Sequence, residues 1–516
     1  MPDESHAGPP EPTPIETPEN FPVTWENPKD AELPWEYDPM HFTNPIPVLE
    51  GDVWCVFREG FNYAFEAYEI PNRAVSRLIN TYLYQAMFPA VPPEEMEAHG
   101  KRAEAALQKA MSNLSERWDT EWLPEIKAFL EHWDTYDLGS ASMPDLLAHL
   151  DDTLEKQERL AGIHFLTVLP AYVGMGLFDD LYHDLFGDEG AFDAYRLLQG
   201  FDNKTLEVDR ALWALSRKAR EASEVREVLE TQAIAEVVTA LETTSAGQAF
   251  LSDLKTFLNS YGQRSLNWDL SLPSWIEDPA PVIKNLKDYI TQDERDPSGE
   301  LEILATEREE AVASARERLK GYPQQVREQF EFLLNAAQVG VVLSEDHGFW
   351  IDFQAPYRIR LVILEFGRRL FDGGAIETVD DIFHLKLDEV RETAAASPMP
   401  DHRSLVAERR AEIEHFSTIT PPHSLGTDYG PPPADNPIVR AFGKFFGGPP
   451  PAQEETGTLK GNAGSPGKVT GPAKVLRSLS EADKLQLGDI LVAQTTAPPW
   501  TPLFATAGGI VTDTGN

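Results

Sequence analysis

Two proline-rich stretches divide this chain and limit what each part can fold into. Eleven prolines fall among the 39 residues from Pro9 to Pro47, and nine among the 31 residues from Pro421 to Pro451. Proline lacks a backbone N–H and has a fixed φ, so neither stretch can form a long helix or a central strand. We therefore predict a proline-rich arm over residues 1–52, packed against a folded body through its aromatic residues, and a semi-rigid tether over residues 419–456.

Between these stretches, residues 53–418 show helical periodicity nearly throughout. Apolar residues recur at three- and four-residue spacing among charged ones in four segments, Ala103–Phe129, Asp145–Leu169, Leu206–Leu258 and Leu301–Leu334. Proline and glycine fall mainly at the joints between such segments. The pattern predicts a mainly α-helical protein whose largest part is one helical domain.

Charge and cysteine content narrow the class of protein. There are 85 Asp and Glu residues against 44 Lys and Arg, a net charge of −41, which disfavours binding to nucleic acid or to an anionic membrane surface. Cys55 is the only cysteine, so the chain has no internal disulfide and no cysteine-based metal centre. The N-terminus lacks a signal-peptide pattern and no apolar run is long enough to span a bilayer. We expect a soluble cytoplasmic protein.

After residue 457 the composition changes to short β-rich runs separated by glycine turns. This segment contains four sequence motifs in a fixed order: Gly461–Val475, Gly488–Ala493, Thr495–Leu503 and Gly509–Gly515. At this spacing the segment resembles the opening of the swivelling phosphohistidine domain of phosphoenolpyruvate-utilising enzymes. The resemblance implies a tethered α/β swivelling domain over residues 457–516, which would be truncated here, because the family's phosphorylated histidine is expected a few residues beyond Asn516.

The order of the parts adds to this resemblance. A long helical domain ahead of the swivelling domain is similar to rifampin phosphotransferase and to the alpha subunit of phenylphosphate synthase. These residues contain no glycine-rich nucleotide loop, so the phenylphosphate synthase layout fits better. It implies that a separate ATP-grasp-type subunit binds ATP and Mg²⁺, cleaves ATP, and places the β-phosphate on the histidine.

Degenerate blocks in the helical region resemble the family's acceptor domain and supply the catalytic candidates. His347 is the candidate base for an acceptor hydroxyl, because its unperturbed pKa is about 6.5. Glu345 and Asp346 could orient it or share that role. Arg264, Arg358 and Arg360 could bind phosphoryl oxygens, for which the guanidinium fork is suited. Each has an alternative interpretation, as a histidine at a helix junction or as an arginine in an ordinary ion pair.

The candidate wall of an aromatic acceptor pocket is the apolar run Phe165–Leu177, which includes Tyr172 and Met175. His164 and His183, which flank this run, are candidate substrate-binding residues with them. Glycines in this run would let a flat ring approach the backbone. Ordinary helix packing explains the same pattern. No His-x-x-x-His pair is present, so no metal site is expected among these residues.

The sequence thus predicts part of a dikinase-type phosphotransferase. It would pass a phosphoryl group from a phosphohistidine to a hydroxyl of a phenolic or similar aromatic small molecule. The alternatives are a rifampin-type antibiotic phosphotransferase and a non-catalytic scaffold homologue. The second stays open because Ala497 stands where the family often has Asp, and because a fold can outlive its site.

Overall fold

The computed structural model describes residues 12–187, 193–265, 268–292, 295–430, 441, 443–444, 464–465, 467–477, 479–496 and 500–513. The protein is mainly helical, as predicted, and it also contains two small sheets. Its α-helices are α1 (Val48–Ala67), α2 (Pro93–Arg117), α3 (Leu123–Thr135), α4 (Met143–Phe186), α5 (Lys204–Glu221), α6 (Ser223–Thr231), α7 (Ile234–Leu241), α8 (Ser245–Tyr261), α9 (Ala280–Tyr289), α10 (Pro297–Arg318), α11 (Gln324–His347), α12 (Gln354–Asp372), α13 (Leu387–Ala395), α14 (Arg403–Phe416) and α15 (Thr501–Phe504). The strands are β1 (Thr13–Pro14), β2 (Pro34–Tyr37), β3 (Asn72–Ile79), β4 (Tyr82–Pro89), β5 (Ser424–Asp428), β6 (Ala473–Val475), β7 (Ile490–Ala493) and β8 (Gly509–Thr512).

The 44-residue helix α4 runs through the middle of the protein. Ser142 caps its N-terminus by accepting a hydrogen bond from the backbone N–H of Asp145 at 3.3 Å, and Gly187 follows its last turn with φ 77°. By length and composition α4 could cross a membrane, but 83% of its most apolar 18-residue window is buried inside the protein. The helix therefore lies in the core of this protein, and the soluble, cytoplasmic state stays a prediction.

Helices α1 and α11 pack on α4 and complete the central core. The contact with α1 is close enough that a Cβ at Gly60 would lie 2.3 Å from the carbonyl carbon of Ala161. On the α11 side, a Cβ at Gly340 would lie 2.9 Å from the carbonyl oxygen of Ala171. Glycine at these two positions thus sets the spacing of the three helices.

A five-stranded antiparallel sheet, in the order β1-β5-β2-β4-β3, lies beside this core. It corrects the prediction that residues 53–418 are helical nearly throughout, because β3 and β4 form a hairpin inside that region. Asn80 and Thr81 make its turn with φ of 49° and 66°, the left-handed values that a tight hairpin turn requires. The sheet also holds β2 of the predicted arm and β5 of the predicted tether, so both segments are fixed to the body there.

Two further apolar cores flank the central one. Helices α5 to α9 enclose the first, which includes Leu212, Leu254 and Trp275. Helices α12 to α14 enclose the second together with residues of α1 and α4. The central core and the α5–α9 core meet at a π-helical turn between α11 and α12, Gly348–Phe353, which contributes Ile351 to the first and Phe349 to the second.

The C-terminal segment forms a parallel sheet in the order β6-β7-β8, with a short helix, α15, between β7 and β8. A parallel sheet with a helix between two strands is compatible with the α/β unit that the resemblance implies, and its identity as a swivelling domain stays a prediction. Its small core of Leu476, Leu485, Leu491, Trp500 and Leu503 packs against Trp268 of the helical domain. Thr506 donates a hydrogen bond to Asp288 of α9 at 3.1 Å. Most of the predicted tether after Gly430, and Ala497, lie outside the described residues.

Candidate active site

The π-helical turn Gly348–Phe353 builds the candidate site. Turns of this kind interrupt α-helical packing and are frequent at functional sites. Here the turn places Asp352 beside two adjoining clefts, which share Trp268, Leu270, Asp352 and Pro356 in their walls. Much of the wall of the second cleft comes from described residues between α8 and α9, namely Gln263, Ser265, Trp268, Asp269, Leu270, Leu272 and Ser274.

The first cleft is lined by aromatic rings and is narrow. Trp54 and Phe57 of α1 stack with ring centroids 5.0 Å apart and form one wall, facing Trp268. The cavity volume is about 20 Å³, which is room for a hydroxyl-sized group. An aromatic ring would enter only if side chains at the mouth moved.

Two histidines and one carboxylate converge at Asp352. Nδ1 of His164 lies 2.9 Å from one carboxylate oxygen of Asp352, and Nε2 of His347 lies 3.6 Å from the other. The two imidazole rings have centroids 4.6 Å apart. We call His164, His347 and Asp352 the Asp352 cluster. It joins α4 to the end of α11, although 183 residues separate the two histidines in the sequence.

Burial sets the protonation of this cluster. His347 is only 4% exposed, and burial together with the nearby His164 lowers its pKa to about 4, which keeps it neutral. Its Nδ1–H donates to the carbonyl oxygen of Leu343 at 2.7 Å. Burial alone would raise the pKa of Asp352, but the charge and hydrogen bond of His164 lower it. Asp352 is therefore an ionised carboxylate inside the protein.

The arm contributes to the mouth of the first cleft. The ring of His41 lies 4.7 Å from that of Trp54 and 5.0 Å from that of Trp268. Nδ1 of His41 is 2.8 Å from the buried carboxylate of Asp38, which in turn lies 3.8 Å from the guanidinium of Arg58. Asp38 thus fixes His41 against the two tryptophans.

Two polar atoms in the wall of the first cleft have no hydrogen-bond partner in the described part of the chain. They are Nε1 of Trp54, a donor, and Oε1 of Gln157, an acceptor. Buried polar groups nearly always find a partner, so such a pair points to a bound polar group or water. A hydroxyl can satisfy both, because it donates and accepts.

Arg264 is buried at 3% exposure behind the second cleft, between the rings of Phe353 and Trp275. Burial lowers its pKa to about 10, so the guanidinium stays charged at neutral pH. Its Nη2 has no hydrogen-bond partner among the described residues. Gln263 and Ser265 on either side line the cleft. The geometry is compatible with the predicted role as a ligand for a phosphoryl oxygen, which stays a prediction.

The structure places the other two candidate arginines in ion pairs. Arg358 makes a two-point contact with Asp134 at 2.8 and 2.6 Å, and its remaining nitrogen donates to Gln354. Arg360 pairs with Glu277 at 3.0 Å and donates to the carbonyl oxygen of Leu270, although it also lines the second cleft. The donors of Arg358 are thus occupied, and a phosphate would have to displace Asp134.

Glu345 and Asp346, predicted to orient His347, point instead to α5. Glu345 accepts a hydrogen bond from the hydroxyl of Thr205 at 2.6 Å, and Asp346 accepts one from the backbone N–H of Lys204 at 2.7 Å. Burial raises the pKa of Asp346. The group that actually faces His347 is Asp352.

The predicted pocket wall on α4 is only partly brought together. His164 joins the Asp352 cluster, and Tyr172 interacts electrostatically with Asp352 and Glu345. Met175 is buried in a different core, with Phe178 and Phe330. His183 bonds the carbonyl oxygen of Asp179 and lies 19 residues beyond His164, roughly 28 Å along a helix. Met175 and His183 are therefore remote from the clefts.

Sequence reasoning missed an acidic pair that lines the clefts. Glu50 is 2% exposed, and its carboxyl accepts a hydrogen bond from the backbone N–H of Leu270 at 2.8 Å. Burial and the neighbouring Asp269 hold the pKa of Glu50 well above its usual range. Burial also raises the pKa of Asp269. The single glutamate in the apolar first turn of α1 carried no motif that could have marked it.

Comparison with known proteins indicates which family of proteins part of the chain resembles. Residues 164–345 match the family described as "Rifampicin phosphotransferase fourth domain". This range begins at His164 and ends two residues before His347. The chain therefore contains a rifampicin phosphotransferase-like domain.

Curated relatives support the same family. The chain is 38% identical over 97% of its length to "Chondramide synthase cmdD" of Chondromyces crocatus. It is 30% identical over 68% of its length to "Uncharacterized phosphotransferase YvkC" of Bacillus subtilis, and 25% identical over 73% of its length to a "Rifampicin phosphotransferase" of Streptomyces sp.. The chain spans 13%, 41% and 42% of these relatives, respectively. These similarities support a relationship between this chain and the phosphoenolpyruvate-utilising/rifampicin phosphotransferase family.

Proposed function

We propose that this chain binds the acceptor in a phosphotransferase and catalyses transfer of a phosphoryl group from a phosphohistidine to the acceptor's hydroxyl. One observation carries the proposal: Asp352 lines both clefts, and the buried Arg264, whose Nη2 has no partner among the described residues, stands in the chain between Gln263 and Ser265, which line the second cleft. The acceptor would be phenolic or otherwise aromatic, because Trp54, Phe57 and Trp268 line the first cleft.

Each group has a role in this chemistry. Phosphoryl transfer depends mainly on positioning and on cationic groups at the equatorial oxygens. Arg264 would supply that charge from a rigid, buried position, where it is worth more than in water. The hydroxyl would lie in the first cleft beside the Asp352 cluster, which includes His347, the predicted base.

The phosphoryl group would arrive on the domain that β6–β8 begins. That unit packs on Trp268, whose ring also lines both clefts. ATP and Mg²⁺ would be bound outside these 516 residues by an ATP-grasp-type unit. The separate subunit and the phenylphosphate synthase-like layout stay predictions.

Two acceptor classes are favoured by specific similarities. The domain match and the Streptomyces relative favour an antibiotic acceptor of the rifampicin kind. The similarity to a segment of chondramide synthase over nearly the whole chain favours a biosynthetic intermediate. Screening rifamycins, larger phenol-bearing compounds and simple phenols as acceptors would separate these two classes from an acceptor that is a simple phenol.

The test uses the full-length protein, its nucleotide-binding unit and ATP labelled at the β-phosphate. We expect acid-labile label on this protein, which then moves to the acceptor. Asp352→Asn should keep the label on the histidine and block its transfer, whereas the matched Asp152→Asn at a surface pair should transfer normally. Label from the γ-phosphate would indicate an ordinary kinase reaction instead. No label from either position would favour the scaffold alternative.

A further inference from the structure

In the Asp352 cluster, one nitrogen of His347 and one oxygen of Asp352 face each other without a hydrogen bond between them. Nδ1 of His347 donates to the carbonyl oxygen of Leu343, so Nε2 is the ring nitrogen left for another partner. Nε2 faces a carboxylate oxygen of Asp352 at 3.6 Å, which is too long for a hydrogen bond. An ion bound to both atoms would fill the gap between them.

We propose that His164, His347 and Asp352 bind a divalent first-row transition metal ion. Their ligand atoms all lie within 4.8 Å of one another, with 2.9 Å from Asp352 to His164 and 3.6 Å to His347, close enough for one ion to contact all three after small side-chain shifts. Two imidazoles and a carboxylate favour ions such as Zn²⁺, Co²⁺ or Fe²⁺ over Mg²⁺.

The surroundings of the cluster have two features of such sites. The Leu343 carbonyl fixes the ring of His347 through its second nitrogen, which is the usual support of a metal-bound imidazole. Asp352 also lines both clefts, so coordination positions would stay open toward a bound molecule. The ion would then coordinate an oxygen of the acceptor and lower the pKa of its hydroxyl. It would replace His347 as the activating group, because Nε2 of that histidine would be a ligand. Coordination of the acceptor rests on the proposed function. Binding of the ion does not depend on it.

A second cluster of the same composition provides a matched control. His132, His149 and Asp152 also lie within 4.8 Å of one another, between α3 and α4. However, Lys156 forms an ion pair with Asp152, and the side chain of Asp152 is 38% exposed. The lysine neutralises the carboxylate and solvent competes for it, so we expect this cluster to bind divalent ions more weakly.

The experiment titrates the metal-free full chain with Co²⁺ and records the visible absorption bands of the bound ion, followed by competition with Zn²⁺. We expect one ion per chain at the Asp352 cluster. His347→Gln and Asp352→Asn should weaken binding by more than about 10-fold, whereas His132→Gln combined with His149→Gln should not. Circular dichroism checks folding, and the more accessible His164→Gln replaces any variant that does not fold.

Absence of Co²⁺ binding by the wild-type chain would overturn the inference, and so would loss of the bands in the His132/His149 variant alone. The readout needs no ATP, partner or acceptor. A chain that binds Co²⁺ but transfers no phosphoryl group would contradict only the proposed function. A chelated chain that transfers at the full rate without binding Co²⁺ would contradict only the metal site.

Discussion

At the scale of single residues, Arg264 and Arg358 show how one residue type takes two roles. Both are buried guanidinium groups close to the π-helical turn. Asp134 satisfies Arg358 with two hydrogen bonds, whereas Arg264 keeps an Nη2 that no described residue binds. An unsatisfied buried donor costs about 1–3 kcal/mol, so its presence favours a ligand there. The sequence context of the two arginines does not distinguish them.

Replacement of Arg264 tests this difference. Arg264→Lys keeps a charge but loses the planar fork, and Arg264→Gln loses both, so transfer to the acceptor should fall by roughly 100-fold or more in each. Labelling of the histidine should stay normal, because that step occurs elsewhere. Rates of both steps are measured separately with labelled ATP. Arg316→Gln, which removes a surface pair with Glu331, serves as the control. An unchanged transfer rate in Arg264→Gln would remove Arg264 from the site.

Glu50 leads to a prediction about stability and pH. Its folded-state pKa is raised by burial and by Asp269, so the folded protein favours the neutral acid. As pH rises above the pKa of the unfolded chain, the unfolded state loses its proton first and stability falls. Glu50→Gln cannot ionise and still accepts from Leu270. It should therefore stabilise the protein at about pH 8 more than at about pH 5, by on the order of 1 kcal/mol. Thermal unfolding of both proteins at the two pH values measures this difference, and an equal effect at both would contradict it.

At the scale of elements, the packing of α1 on α4 depends on Gly60. A Cβ there would lie 2.3 Å from the Ala161 backbone, so the helices would have to separate. Gly60→Ala should destabilise the protein by about 1–3 kcal/mol. Gly100, inside α2, has no atom within 4 Å of its ideal Cβ, so Gly100→Ala should stabilise by about 0.5–1 kcal/mol through helix propensity alone. Denaturant unfolding of both variants gives the comparison, and equal effects would show that the α1–α4 contact is not tight.

Comparison of the predicted and observed helices and strands shows which of them the sequence pattern could predict. Periodicity predicted a helix from Asp145 to Leu169 and stopped before Pro170, yet α4 continues to Phe186. Proline disfavours a helix interior by about 3 kcal/mol, but burial between α1 and α11 outweighs that cost. The hairpin was missed for the opposite reason. Tyr82, Tyr84 and Ala86 alternate inward with period two, a local signal that the surrounding helical periodicity obscured.

The site was predictable only where a motif marked it. The degenerate acceptor-domain blocks contained His347 and Arg264, and the apolar run on α4 contained His164. Their meeting at Asp352 depends on how α4 packs against α11, which no local spacing encodes. For the same reason the search for a His-x-x-x-His pair could not find a cluster whose ligands come from two distant helices.

At the scale of the whole molecule, Trp268 connects the two parts that the proposed reaction requires. Its ring packs against the central helical core, lines both clefts, and contacts the core of the β6–β8 unit. Thr506 and Asp288 add one hydrogen bond to this contact. The first cleft is too narrow for a ring in this arrangement. The same side chain thus lines the cleft and contacts the β6–β8 unit.

Replacement of Trp268 by alanine should loosen the contact between the β6–β8 unit and the helices. Trp268→Ala removes the ring that packs against both the central core and the core of the β6–β8 unit. Amide exchange in residues 500–507 and at the end of α9 should therefore become roughly 10-fold faster. Hydrogen-exchange mass spectrometry measures both segments. Thr506→Val, which removes only the bond to Asp288, should change them less. If the docked unit delivers the phosphoryl group, Trp268→Ala should also slow transfer while histidine labelling continues. Slower transfer with unchanged exchange would show instead that Trp268 serves the acceptor alone and does not hold the β6–β8 unit against the helical domain.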